Sequence, residues 1–164
     1  MASNVVAGSN AIDPFDTSEL KNKVDGAGLA TVVQVSELES KAKVLFNVQR
    51  NRAAAEALSL FSTQANALAN IIVTGIQPYY NAAHADQQKC SNIAELANFE
   101  AMANQYRLKR NRARVMQAEC LIAIGEEMPA LQLLMETINL IPIDDKIWWD
   151  RARKALYDLA GVAP

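Results

Sequence analysis

Apolar residues recur at steps of three and four along most of the chain beyond residue 36, and no stretch alternates in the manner of a half-buried strand. Ala54, Leu58, Phe61, Ala65, Leu68 and Ile72 advance by 4, 3, 4, 3 and 4 residues, the a/d spacing of a seam that packs against another helix. Gly75 and Pro78 predict its end. A second long helix is predicted from Asn92, with Glu95 reaching back as in a capping box, to Ile124 before Gly125. Its seam runs through Ala97, Ala101, Asn104, Leu108, Asn111, Val115, Ala118 and Ile122, a narrow face of largely small residues that permits close helix approach. Asn104 and Asn111 on that face either lie at its edge in water or fix the register against a neighbouring helix.

Shorter elements flank this pair. Ser36 and Glu39 form a capping box before Leu38, Ala42, Leu45 and Val48, which predicts a helix reaching Gln49. The preceding Leu29 to Val35 is β-branched and either extended or joined to that helix. Residues 1–16 are small and polar, with Pro14 and no period, so 1–35 reads as a flexible N-terminal arm. A short helix from Thr17 to Val24 is expected within it, capped by Asp16 with Glu19 and ended by Asp25 to Gly28. Tyr79 to Ser91 reads as a connector, either a solvated loop or a frayed helix end. Two more helices are predicted, Glu127 to Ile141 with Pro129 in its first turn, and Asp145 to Ala160 capped by Asp144 or Asp145 and ended by Gly161. The expectation is an all-α chain with residues 36–164 as a single helical domain, an antiparallel bundle built on two long helices.

Within the C-terminal third, Ala118, Leu121, Gly125, Ala130, Leu134, Leu140, Pro142, Trp148 and Ala152 resemble a tetratricopeptide repeat helix pair followed by the first helix of another repeat. The resemblance covers about residues 114–156. Arg114 stands where that family prefers a large aromatic, and Thr137 where it prefers alanine. It implies a C-terminal helical hairpin in which Ala118 and Ala130 sit where paired helices touch, Gly125 makes the turn and Pro142 stops the second helix.

Composition agrees with helices, since 28 alanines face 6 glycines and 5 prolines in 164 residues. With 51% hydrophobic and 21% charged residues the chain can fill one globular core. No apolar run approaches the roughly 18 residues of a membrane span, and the N-terminus lacks the pattern of a secretory signal. A soluble protein is expected, in the cytoplasm or within a macromolecular assembly. Catalytic and cofactor chemistry lacks raw material. Cys90 and Cys120 cannot make a disulfide framework or ligate zinc by themselves, and a single imidazole, His84, excludes two-histidine metal sites. Gly26 and Gly28 lack the context of a phosphate loop, and the acid pairs Glu126-Glu127 and Asp144-Asp145 fall at helix starts, where carboxylates favour the dipole. The chain reads as a non-enzyme, with no cofactor, metal or catalytic residue assigned.

Two surfaces remain as candidates for function. Arg107, Lys109, Arg110, Arg112 and Arg114 place five cations in eight residues without an intervening acid. Arg107, Arg110 and Arg114 share one helix face, while Lys109 and Arg112 project elsewhere. The run is either neutralised by acids of neighbouring helices, or contacts nucleic acid or an acidic protein surface. Trp148 and Trp149 are adjacent, so they point about 100° apart, and one of them is a candidate anchor for a partner. Leu58, Phe61 and Leu68 are further partner candidates if their seam closes between chains. These features favour a helical interaction or structural subunit assembling into a homo-oligomer or larger complex, of virion, secretion-apparatus or scaffold type. The alternative is a nucleic-acid-binding helical protein using residues 107–114.

Overall fold

A computed structural model of the chain describes residues 30–89 and 93–163, which are all-α. In chain order the helices are α1 (Val32–Asn47), α2 (Asn51–Tyr80), the single turn α3 (His84–Gln87), α4 (Ile93–Ala123), α5 (Glu127–Ile138) and α6 (Lys146–Ala160). The arm, the helix expected over 17–24, Cys90 and the Asn92 cap lie outside the described residues.

α1 begins earlier than the Ser36–Glu39 pattern predicts. Thr31 is extended and its hydroxyl accepts from the Gln34 amide at 3.2 Å, while the Gln34 side chain accepts from the Thr31 N–H at 3.3 Å. This reciprocal pair is a capping box, and buried Val35 ties the added turn to the core. At its other end α1 closes in a Schellman motif, with Arg50 N–H on the Leu45 carbonyl and Gln49 N–H on that of Phe46, both at 3.0 Å. The left-handed position is held by Gln49 at φ 56°. The same motif ends α4 at Gly125 (φ 81°) and α6 at Gly161 (φ 67°), where glycine takes that conformation without a Cβ clash.

Gly75 and Pro78 do not end α2, which continues to Tyr80. Proline lacks a donor and loses a bond to Thr74, but two tertiary contacts hold the final turn. Ile76 is buried, and the Tyr80 hydroxyl donates to Glu100 of α4 at 2.8 Å. Those partners belong to a ladder in which residue numbers rise on α2 as they fall on the facing segment: Arg52 with Glu126 just past the end of α4, Asn66 with Arg110, Tyr80 with Glu100. The two long helices are therefore antiparallel, and theirs is the most extensive contact in the fold. Between α4 and α6 partner numbers rise together, Arg112 with Asp145 and Glu119 with Arg151, so these helices run parallel, with α5 as the return.

Two apolar clusters form the core. The first joins α1, α2 and α4 through Val35, Leu38, Leu45, Leu58, Phe61, Leu68, Ala113 and Cys120. The second joins α4, α5 and α6 through Val115, Ala118, Ala130, Leu134, Ile141 and Ala152. Burying each leucine contributes about 2 kcal/mol, and the alanines on α2 and α4 let the long helices approach closely.

α4 thus has two working faces, and the predicted seam is only partly one of them. From Asn111 through Val115, Ala118 and Ile122 it packs into the second cluster, but Ala97, Ala101 and Asn104 are exposed. The face turned toward the first cluster instead follows Tyr106, Ala113, Met116 and Cys120. Extended toward the start of the helix at the same heptad spacing, it passes through Met102 and Phe99.

Candidate functional site

The charged residues converge where α1, α4 and α6 meet. Glu39 accepts from Lys43 on its own helix at 2.6 Å and from Lys109 of α4 at 2.7 Å. Burial alone would raise its pKa, but hydrogen bonds and attraction from Lys109 and Lys43 outweigh burial and hold it below the usual glutamate value. Arg112 binds Asp145 with two parallel bonds, at 3.0 and 3.1 Å. Arg151 forms a second bidentate pair with Glu119 and stacks over Trp148, 4.6 Å from its centroid, with Phe46 of α1 at 5.8 Å. Between these groups lies a groove of about 230 Å³, floored by Leu58, Phe61, Ala113, Met116 and Trp148 and rimmed by Glu39, Lys43, Lys109 and Arg112. Its size suits a side chain rather than a cofactor, since small-molecule sites begin near 300 Å³.

The groove is built for packing and ion pairing. Its rim cations bind carboxylates, Lys43 and Lys109 holding Glu39 and Arg112 holding Asp145. Cys120 is buried, and burial followed by repulsion from Glu119 pushes its thiol up to about 11, the opposite of an activated nucleophile. The Tyr80 phenol is likewise raised, chiefly because it donates to Glu100. His84 is exposed in α3, its Nε2 3.0 Å from the Gln88 amide nitrogen. Among the described residues no group of three or more His, Cys, Asp or Glu could hold a metal ion.

The basic run is divided between two flanks of α4. Lys109 and Arg112 form the ion pairs just described. Arg110 crosses to α2, where its Nη1 donates to Asn66 Oδ1, while its Nε donates to Asn111 Oδ1 at 3.0 Å. Arg107 donates to Asn104 Oδ1 at 3.2 Å. Neither Arg107, Arg110 nor Arg114 forms an ion pair among the described residues. The five cations are therefore neither one neutralised face nor one continuous patch.

Leu58, Phe61 and Leu68 are buried in the first cluster, which corrects their selection as partner contacts: this part of the α2 seam closes within the chain because α1 and α4 flank it. Trp148 and Trp149 are both half-buried against the second cluster. Arg151 covers the first ring, and Arg153, 4.6 Å from the centroid of Trp149, covers the second, so neither stands out as an exposed anchor. Asn111 is the register-fixing member of the asparagine pair, its Nδ2 donating to the Leu140 carbonyl at 2.6 Å; Asn104 lies in water.

Exposed apolar side chains occur in several places: Ile143 and Ile147, close to Trp148 in sequence, are the most exposed at 82% and 78%, and a further group lies on the distal part of α2 and α4. With 16 residues α1 is about half as long as the 30-residue α2 and does not reach along its whole length. Beyond Ala69 only Ile76 is buried on α2, and before Asn111 only Ala103 among the described side chains of α4. In this distal stretch Ile71 is 45%, Phe99 39% and Met102 40% exposed. Phe99 and Met102 occupy the heptad positions that Tyr106, Ala113, Met116 and Cys120 continue into the core. Among the described residues no helix is long and apolar enough to cross a membrane.

Several of these residues lack a strong signal in the sequence. Asp145 and Glu126 precede helices and look like caps, but neither side chain caps; they bind Arg112 and Arg52 instead. Phe99 and Met102 were findable as members of a second heptad register, masked by the more regular alanine seam. The chain matches no protein family, curated protein or solved structure.

Proposed function

We propose that the chain is a non-enzymatic helical subunit that assembles with further copies of itself, and through them into a larger complex, by its distal α2–α4 stretch. One observation carries this reading: a single heptad face of α4 is core at Ala113, Met116 and Cys120 and open to solvent at Phe99 and Met102. A seam of this spacing is completed by another helix, and α1 is too short to supply it along the whole of α2. A second copy offers the same two uncovered helices, and two helical pairs meeting face to face complete a four-helix bundle. The paired charges at the α1–α4–α6 junction stiffen the platform from which the distal pair projects.

Photo-crosslinking tests the proposal. The purified protein carrying p-benzoylphenylalanine in place of Met102 is expected to give a covalent dimer on irradiation, with the link mapping to residues 68–106 of the second copy. The same probe in place of Met128, exposed at the start of α5, is expected to give little. Absence of a dimer at high micromolar concentration, or equal yields from both positions, overturns the proposal.

A further inference from the structure

We propose that the flank between α2 and α4 is a binding site for a phosphate-bearing ligand, held by Arg107, Arg110 and Arg114. The three residues stand at i, i+3 and i+7 of one helix, so their backbone positions share one face over about 10 Å. What distinguishes them from the rest of the basic run is their acceptors. Lys109 and Arg112 hold carboxylates, whereas Arg110 holds the neutral amides of Asn66 and Asn111, and Arg107 holds Asn104. The site therefore keeps its positive charge.

It is also preorganised. Asn111 is buried and donates its Nδ2 to the Leu140 carbonyl at 2.6 Å, which fixes its Oδ1 toward Arg110. With two donors engaged, the planar guanidinium of Arg110 retains three further N–H groups on a half-buried side chain of set orientation. Burial first, and then repulsion from Arg114 and Arg107, lowers the Arg110 pKa from its usual value, a conflict that an anion placed among the three relieves. Phosphoryl oxygens match this fork geometry, and three guanidiniums borne on one face can engage more than one phosphate. A single nucleic-acid strand and a free polyphosphate share this chemistry.

Titration of the full chain with a labelled single-stranded thymidine oligonucleotide, with pyrophosphate and with polyglutamate tests the site. Arg107→Gln/Arg114→Gln leaves the internal bonds of Arg110 in place, so its helical circular dichroism should match the wild type. Lys146→Gln, which removes one charge against the two of the double variant, shows what charge loss at an exposed position outside the site does. If the ligand is a strand, the double variant loses at least tenfold in affinity, the slope of log K against log salt falls by about 1.4 for two lost contacts, and Lys146→Gln binds normally. If the ligand is a free polyphosphate, pyrophosphate shifts the Arg110 Nε–H resonance while the oligonucleotide does not bind. Failure of both phosphate probes, equal loss in Lys146→Gln, or polyglutamate binding as tightly as the phosphate probes overturns the proposal.

Discussion

Replacing Thr137 by valine should make the protein more stable. Thr137 is fully buried on α5, and its hydroxyl is a buried side-chain oxygen without a hydrogen-bond partner. An orphaned polar group of this kind costs about 1–3 kcal/mol. Valine puts a methyl group in the hydroxyl's place, keeps the branch at Cβ and has similar helix propensity, so shape and backbone preference barely change. The expected gain is about 1 kcal/mol, with a rise of about 2–4 °C in Tm for a chain of this size. Thr137→Ser provides the opposite test: it retains the orphan and deletes a buried methyl, which should cost about 1 kcal/mol. Urea unfolding followed at 222 nm reads both, with an unchanged slope as the check that only stability has moved. A valine variant equal to or less stable than the wild type would show that the hydroxyl is satisfied and that the account of this core position is wrong.

Other variants probe separate parts of the fold. Gln49→Gly should stabilise by about 0.5–1 kcal/mol, because a left-handed residue with a Cβ is strained and glycine is not; a loss of stability in the same urea assay would refute that. Arg151→Ala should destabilise by about 2 kcal/mol through loss of Glu119, Trp148 and Phe46. Arg151→Lys should recover less than half of this, because an ammonium cannot reproduce the fork, and full recovery would reduce the contact to simple charge. The lowered pKa of Glu39 means that its contribution is complete above the ordinary glutamate value near 4.3 and disappears as pH falls through the lower folded value. Glu39→Gln should therefore cost about 1 kcal/mol at neutral pH and flatten the acid limb of the stability profile; an unchanged limb would contradict the pairing.

Periodicity made most of the architecture legible, since steps of three and four need only the apolar pattern. The partner of each face was less legible. Ala118 and Ile122 sit on the predicted α4 seam and pack into the second cluster, but Ala101 lies on the same line in solvent, because that cluster with α5 and α6 does not extend so far toward the start of α4. Helix ends failed where tertiary contacts overrode local preference: Ile76 and Tyr80 carry α2 past Pro78, and Gln49 occupies a position that a pattern search reserves for glycine. The basic run was visible as composition. Its division into a paired flank and a flank held by amides depends on Glu39, Asp145 and Asn66, residues 33 to 70 positions away. No local spacing encodes such pairings.

The most direct test of the assembly proposal is the mass of the purified protein by size-exclusion chromatography with light scattering, across a concentration series at high salt. Phe99→Glu/Met102→Glu is compared with Met128→Glu/Met135→Glu, which alters exposed positions on α5. The account predicts that wild type and the α5 variant give at least twice the 17.9 kDa chain mass, and that the Phe99/Met102 variant elutes as a folded monomer. A wild-type chain that stays at 17.9 kDa throughout, or a Phe99/Met102 variant that still assembles, would contradict it.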